Sequence, residues 1–214
     1  DQVGPTIFQS VIRHLAQLTF QDELGPDLTD RLLDASYFWQ ERLVRLMEQD
    51  APGWFDDVTT SALESRDELI HRAGLAALDE LNTAYGKNRQ RWTWGRVHAV
   101  TFFSPTVPGH WAAALLGGGT HPKEGSGETL DRAAYRFGEP YEVTYIASMR
   151  FAADLGDPSK VMMVSTGGPS GRQFDSHLKD QLPAWLSGEP GYLWFSDSEI
   201  AAHRLHELTL QPAR

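Results

Sequence analysis

The chain has 214 residues, no cysteine and a formal net charge of −10, with 41% hydrophobic residues. This is enough chain to bury a core, and its composition is not that of a disordered protein. The missing cysteine excludes disulfides, thiolate catalysis and cysteine zinc sites. An acidic chain without a Lys/Arg cluster also makes a poor partner for nucleic acid or an anionic membrane.

The first 90 or so residues read as helices. Ile7, Phe8, Val11, Ile12, Leu15 and Leu18 recur at helical spacing, and Gly25-Pro26 stops that helix. Asp27 is placed to cap a second helix over about 28–49, which Pro52-Gly53 breaks. Ser61 and Glu64 have the spacing of a capping box for a third helix, ending near Tyr85 with Gly86 as its stop. No apolar run reaches the roughly 20 residues that span a bilayer. The start, "DQVGPTIFQS", lacks a signal peptide's pattern, so the chain reads as cytosolic, already processed, or cut from something larger.

From Trp92 the pattern shortens. "WGRVHAVTFF", "GETLDRAAY", "YEVTYIASMRFAADL" and "KVMMVST" are short, rich in β-branched and aromatic residues, and separated by turns. They predict four or more strands, mainly antiparallel. Residues 115–128, "LLGGGTHPKEGSGE", read as a flexible loop. "DSHLKDQLPAWL" and "SDSEIAAHRLHEL" read as C-terminal helices. The fold class is α+β, with a helical segment over 1–90 and an α+β segment of the same domain over 91–214.

The densest run of reactive side chains is "GGPSGRQFDSHLKDQLPAWL", residues 167–186. A nucleophile elbow needs G-x-S-x-G at a strand-to-helix turn, and Arg172 stands where the second glycine belongs. The competing reading is a structural clasp. In it, Gly167, Gly168 and Gly171 allow unusual backbone angles, Asp175 or Ser176 caps a helix over 179–186, and Pro183 perturbs it. His177 and Gln181, four apart, would then bond to each other or to a neighbouring loop. Ser170 is the only elbow candidate. His203 and His206 lie three apart on a predicted helix, where a metal pair competes with a plain solvated face. The seven tryptophans read as core anchors. No P-loop and no zinc-protease motif occurs.

Four stretches in order resemble the β-subunit of the penicillin acylase (penicillin amidase) family of N-terminal-nucleophile hydrolases. They are Trp94-Gly95-Arg96 with His98; "GSGETL" at 125–130; "ASMRFAADLGD" at 147–157; and "GGPSG" followed by His177, Asp180, Gln181, Trp185 and Gly188-Glu189. The helical start, "GPTIFQSVIRHLAQLTFQDELG", is similar to that family as well. Ser176-His177-Leu178 and Ser126 depart from its pattern.

The resemblance implies part of an αββα core and amide hydrolysis by an N-terminal serine whose own amine is the base. The acyl donors implied are β-lactam or acyl-homoserine-lactone type amides. The nucleophile, oxyanion donors and any calcium ligands would lie upstream, so this C-terminal portion would be inactive alone and carry no cofactor. Its partner would be the rest of the same precursor: the α-subunit and the N-terminal part of the β-subunit. The isolated segment is expected to self-associate, and the location implied is periplasmic or extracellular. The resemblance also aligns Asp154 with a carboxylate that supports a catalytic histidine, while the plain reading makes it a turn-closing aspartate before Gly156. The alternative to an enzyme portion is a scaffold or interaction module that has lost the catalytic half.

Overall fold

The computed structural model describes residues 2–34, 38–49, 51–104, 106, 107, 109, 111–157, 159–204 and 207–212. The chain is α+β and forms two compact units, residues 1–146 and 147–214.

The first unit is built on α1 (Gly4–Asp34), α2 (Phe38–Gln49) and α3 (Arg66–Tyr85). Gly25-Pro26 does break the first helix, but as a kink. Gly25 sits at φ 72°, which glycine adopts readily, and helix resumes to Asp34. Thr29 Oγ1 ties the two halves together, lying 3.2 Å from the Phe20 carbonyl before the kink and 2.8 Å from the Gly25 carbonyl at it. The Asp27 side chain makes no capping hydrogen bond among the described residues. The second predicted helix therefore appears as the end of α1 and α2, with 35–37 outside the described residues.

α3 packs along α1. Its buried residues Leu69, Ala73, Ala77 and Leu81 fall every fourth position, and the two alanines let the helix backbones approach. The capping box is one turn later than predicted. Ser65 and Glu68 form it reciprocally, while Ser61 and Glu64 do not. Asp56 Oδ1 accepts from the Glu64 amide, so Glu64 belongs to the preceding loop. Gly86 ends α3 as expected, at φ 81° with its N–H on the Asn82 carbonyl.

After α3 the chain makes a single turn, α4 (Trp94–Val97), then β1 (Ala99–Phe102). The stretch predicted as a flexible loop is ordered. It contains the end of α5 (Ala113–Gly117) and β2 (Gly119–Pro122), which pairs antiparallel with β1. The strand, Gly-Thr-His-Pro, was hidden because it carries no large apolar side chain to show a period of two. β3 (Ala133–Ala134) and β4 (Tyr145–Ile146) form a second short pair. Trp92, Trp94, Leu81, Val97 and Tyr141 make one core cluster, and Leu15, Phe20, Leu33, Leu43 and Phe55 are central to another.

The second unit is an antiparallel meander of β5 (Met149–Ala153), β6 (Lys160–Ser165) and β7 (Tyr192–Trp194), with α6 (Leu182–Ser187) and α7 (Asp197–His203). Ser196 caps α7 through the Glu199 amide. β7 was not anticipated. α6 begins only after Gln181, three residues later than expected, because Pro183 suits a first turn and not a helix interior. No helix of the described residues is long and apolar enough to cross a membrane.

Candidate functional site

Residues 165–186 form the clasp. Where β6 ends, the Ser165 N–H donates to Gln181 Oε1 at 3.0 Å, and the Gln181 N–H returns to the Gly167 carbonyl at 3.0 Å. Ser170 N–H donates to the His177 carbonyl at 3.2 Å, closing the outer loop. Of the three glycines, none has the positive φ expected of them. Gly168 is required for a different reason. A Cβ there would lie 2.0 Å from the His177 carbonyl oxygen, so two backbones cross where only hydrogen fits. A Cβ on Gly171 would meet nothing within 4 Å.

Within this loop His177 Nδ1 lies 2.8 Å from Asp180 Oδ2, and that hydrogen bond and charge push the imidazole above its ordinary value. Ser170 Oγ accepts from the Arg172 N–H at 3.2 Å, and Gln181 bonds to the strand and not to His177. No helix follows Ser170 as an elbow requires. A serine, a histidine and an aspartate are near one another, but the relay from hydroxyl to imidazole is not assembled.

Asp154 is exposed and follows β5. Its Oδ1 accepts from the Gly156 N–H at 2.8 Å, and its carbonyl accepts from the Asp157 N–H at 3.1 Å. These are the bonds of an aspartate closing its own turn. Of the His203/His206 pair, His206 lies outside the described residues. His203 stacks on Trp194 with ring centroids 4.2 Å apart, and its Nδ1 is 2.9 Å from the Glu199 carbonyl.

The most concentrated electrostatics were not read from the sequence. Glu80 projects from α3 into a set of donors on α1. Ser10 Oγ and His14 Nε2 each reach Oε2 at 2.8 Å, and Arg13 reaches it at 2.9 Å. Tyr141 Oη donates to Oε1 at 3.1 Å. Burial pushes the Glu80 carboxyl up, but the hydrogen bond from His14, the Arg13 guanidinium and Ser10 outweigh it and bring it down to about 2. The signal in the sequence was Ser10 and His14, four apart on one face of α1 with Arg13 beside them.

Beside this network His98 is fully buried and stacks on Trp94 at 4.2 Å. Its Nδ1 lies 2.7 Å from the Tyr141 carbonyl, which only a protonated Nδ1 satisfies. Burial pushes the imidazole down to about 4, against the Tyr141 and Ala133 carbonyls that favour its charged form. His98 is therefore neutral near pH 7. It lies in a packed core and touches no hydroxyl nucleophile. Among the described residues no three His, Asp or Glu side chains are grouped to hold a metal ion.

Residues 1–202 match the penicillin amidase family model. The chain belongs to the penicillin amidase family. It is similar to the acyl-homoserine lactone acylase QuiP of Pseudomonas aeruginosa, at 27% identity over 97% of this chain and 27% of that protein. QuiP of Pseudomonas fluorescens strain Pf0-1 is 28% identical over 86% of this chain and 22% of that protein. QuiP of Pseudomonas putida is 23% identical over 97% and 26%. The chain thus spans about a quarter of the length of these relatives.

The four stretches that resemble the penicillin amidase family have structural tasks here. Trp94 Nε1 donates to the Gly125 carbonyl at 2.9 Å, joining "WGRVH" to "GSGETL". Gly125 sits at φ 88°, and a Cβ there would meet the Asp131 carbonyl oxygen at 2.2 Å. "ASMRFAADLGD" is β5 with the Asp154 turn, and the fourth stretch is the clasp.

Proposed function

We propose that this chain is the C-terminal portion of the β-subunit of a penicillin-amidase-type hydrolase. In this reading it cleaves the amide of an acyl-homoserine lactone or a related acyl amide. The observation that carries it is the match to acyl-homoserine lactone acylases along 97% of this chain, confined to 27% of the relative's length. The elbow candidate Ser170 bonds within its own loop, its Oγ accepting from the Arg172 N–H, so it is not taken as the nucleophile in this reading. The complete enzyme would be an N-terminal-nucleophile hydrolase with an αββα core. Its N-terminal serine attacks the amide carbon, the homoserine lactone leaves as the free amine, and water releases the fatty acid from the acyl-serine ester. The contribution of the present chain is scaffolding: the clasp, the Trp94–Gly125 tie and the Glu80 network hold elements in place.

The test compares the longer precursor with the 214-residue chain on an N-acyl-homoserine lactone, reading release of the free amine. Turnover is expected from the precursor alone. Turnover by the short chain would place the nucleophile within it, and an inert precursor would favour the scaffold module. In the same assay we take Asp154 as turn-closing. Asp154→Asn is expected to leave the rate of folded enzyme unchanged and to lower stability by about 1 kcal/mol. A large rate loss with normal folding would instead make it the support of a catalytic histidine.

A further inference from the structure

Near the kink of α1 at Gly25 the helical core opens to solvent. Leu24 before the kink, Leu32 after it and Trp54, in the short turn that follows α2, are partly buried and packed on the core. Phe20 and Leu46 lie deeper, 1% and 6% exposed. These five residues wall a cavity of about 630 Å³ within the first unit. Trp54 meets the Phe20 ring edge-on, with centroids 5.8 Å apart, so the floor is a packed one. Small-molecule sites are concave, mostly apolar and roughly 300–1,000 Å³ in volume, and this cavity has all three properties.

Charge is confined to one side of it. α2 brings Glu41, Arg42 and Arg45 to the lining. Glu41 and Arg45 are four apart on the helix and pair with each other, Nη2 to Oε1 at 2.5 Å, so that carboxylate is already matched. Arg42 is exposed and makes no ion pair among the described residues. The cavity therefore carries a net positive charge in a chain whose net charge is −10. Apolar walls with one available guanidinium are complementary to a single-chain amphiphile with a carboxylate head.

We propose that this cavity binds a fatty acid of medium chain length, with the alkyl chain against Leu24, Leu32, Leu46 and Trp54 and the carboxylate at Arg42. The fatty acid released in the reaction proposed above belongs to this class. That link rests on the hydrolase reading; the cavity and its charge do not.

The experiment uses the full-length protein and decanoate carrying a photoreactive diazirine at the end of its chain. After irradiation, peptide mass spectrometry reads the cross-linked residues. Cross-links are expected within residues 20–54, and unlabelled decanoate should compete for them. Burial of two further methylenes should make decanoate compete roughly tenfold better than octanoate. The uncharged 1-decanol should compete about fivefold less well than decanoate. Arg42→Ala alters an exposed side chain and should lower labelling about fivefold, and Arg42→Lys should restore it. Labelling indifferent to Arg42 or to chain length, or equal competition by decanol, would overturn the proposal. Cross-links found only outside residues 20–54 would do so too, and would mean that another part of the polypeptide fills the cavity. Amine release from an N-acyl-homoserine lactone is measured on the same preparation. Labelling at this cavity without amine release would sink the hydrolase reading and leave the site standing, and amine release without labelling would do the reverse.

Discussion

His98, fully buried, and Glu80, half-buried, are titrating groups that respond to acid in different windows. His98 has its value lowered from 6.5 to about 4, so the folded form binds a proton less readily than the unfolded chain. Its contribution to stability is complete above 6.5 and declines as pH falls toward 4, by on the order of 2–3 kcal/mol. Glu80 is lowered from 4.5 to about 2, so its contribution is present above 4.5 and is lost between those values. Partial exposure to solvent reduces it to on the order of 1–2 kcal/mol. Urea unfolding across pH should show both slopes. His98→Asn keeps a donor for the Tyr141 carbonyl but does not titrate, so the slope between 6.5 and 4 should vanish. Glu80→Gln should leave that slope and remove the more acidic one. A wild-type chain equally stable at both ends of the upper window would show that His98 is not held neutral. His98 was visible in the sequence as part of "WGRVH", but its burial was not. Glu80 was invisible, because one glutamate in a charged helix looks the same whether it faces water or Arg13.

At the scale of elements, small shifts decide which residue carries a role. Two capping boxes fit the sequence, four residues apart, and the spacing rule alone does not choose between them. The structure chooses Ser65 because the loop before it uses Glu64 for its own amides and hydroxyls. Ser65→Ala should lower stability by about 1 kcal/mol, whereas Ser61→Ala should change it by less than about 0.5 kcal/mol. The clasp offers a parallel contrast. Gly168→Ala forces a Cβ into the His177 carbonyl and should cost on the order of 1–3 kcal/mol. Gly171→Ala enters open space and should be nearly neutral. Thermal melts of the four variants check both pairs, and a neutral Gly168→Ala would mean that the loop does not cross the backbone there. Helices with a long apolar stripe, such as α3, were legible because packing repeats their signal every turn. β2 and β7 were not, since strands of three or four residues with glycine or mixed polarity carry too few repeats. The clasp as a structural device was legible from its glycines and proline, although its reason is a close approach and not a backbone angle.

At the scale of the whole molecule, exposed apolar surface and acidic charge oppose each other. Met149, Phe151 and Leu193 share one face of the β5–β6–β7 sheet and remain 47%, 58% and 43% exposed, which favours association, while a net charge of −10 keeps copies apart at low ionic strength. Salt screens the second effect over a Debye length that shrinks from about 30 Å at 0.01 M to about 8 Å at 0.15 M, and leaves the first largely intact. The isolated 214-residue chain should therefore gain mass with added salt, in sedimentation or light scattering at fixed concentration. Its binding of a hydrophobic dye should fall as association covers the face. Phe151→Lys removes apolar area from that face and adds a charge, so it should suppress the salt-induced association. Tyr192→Lys, on the opposite face, should leave it in place. Association that weakens with salt would mean that charge pairing, and not the apolar face, holds the copies together. A chain that stays monomeric at every ionic strength would mean that the sheet face is too small or too mobile to bind anything by itself.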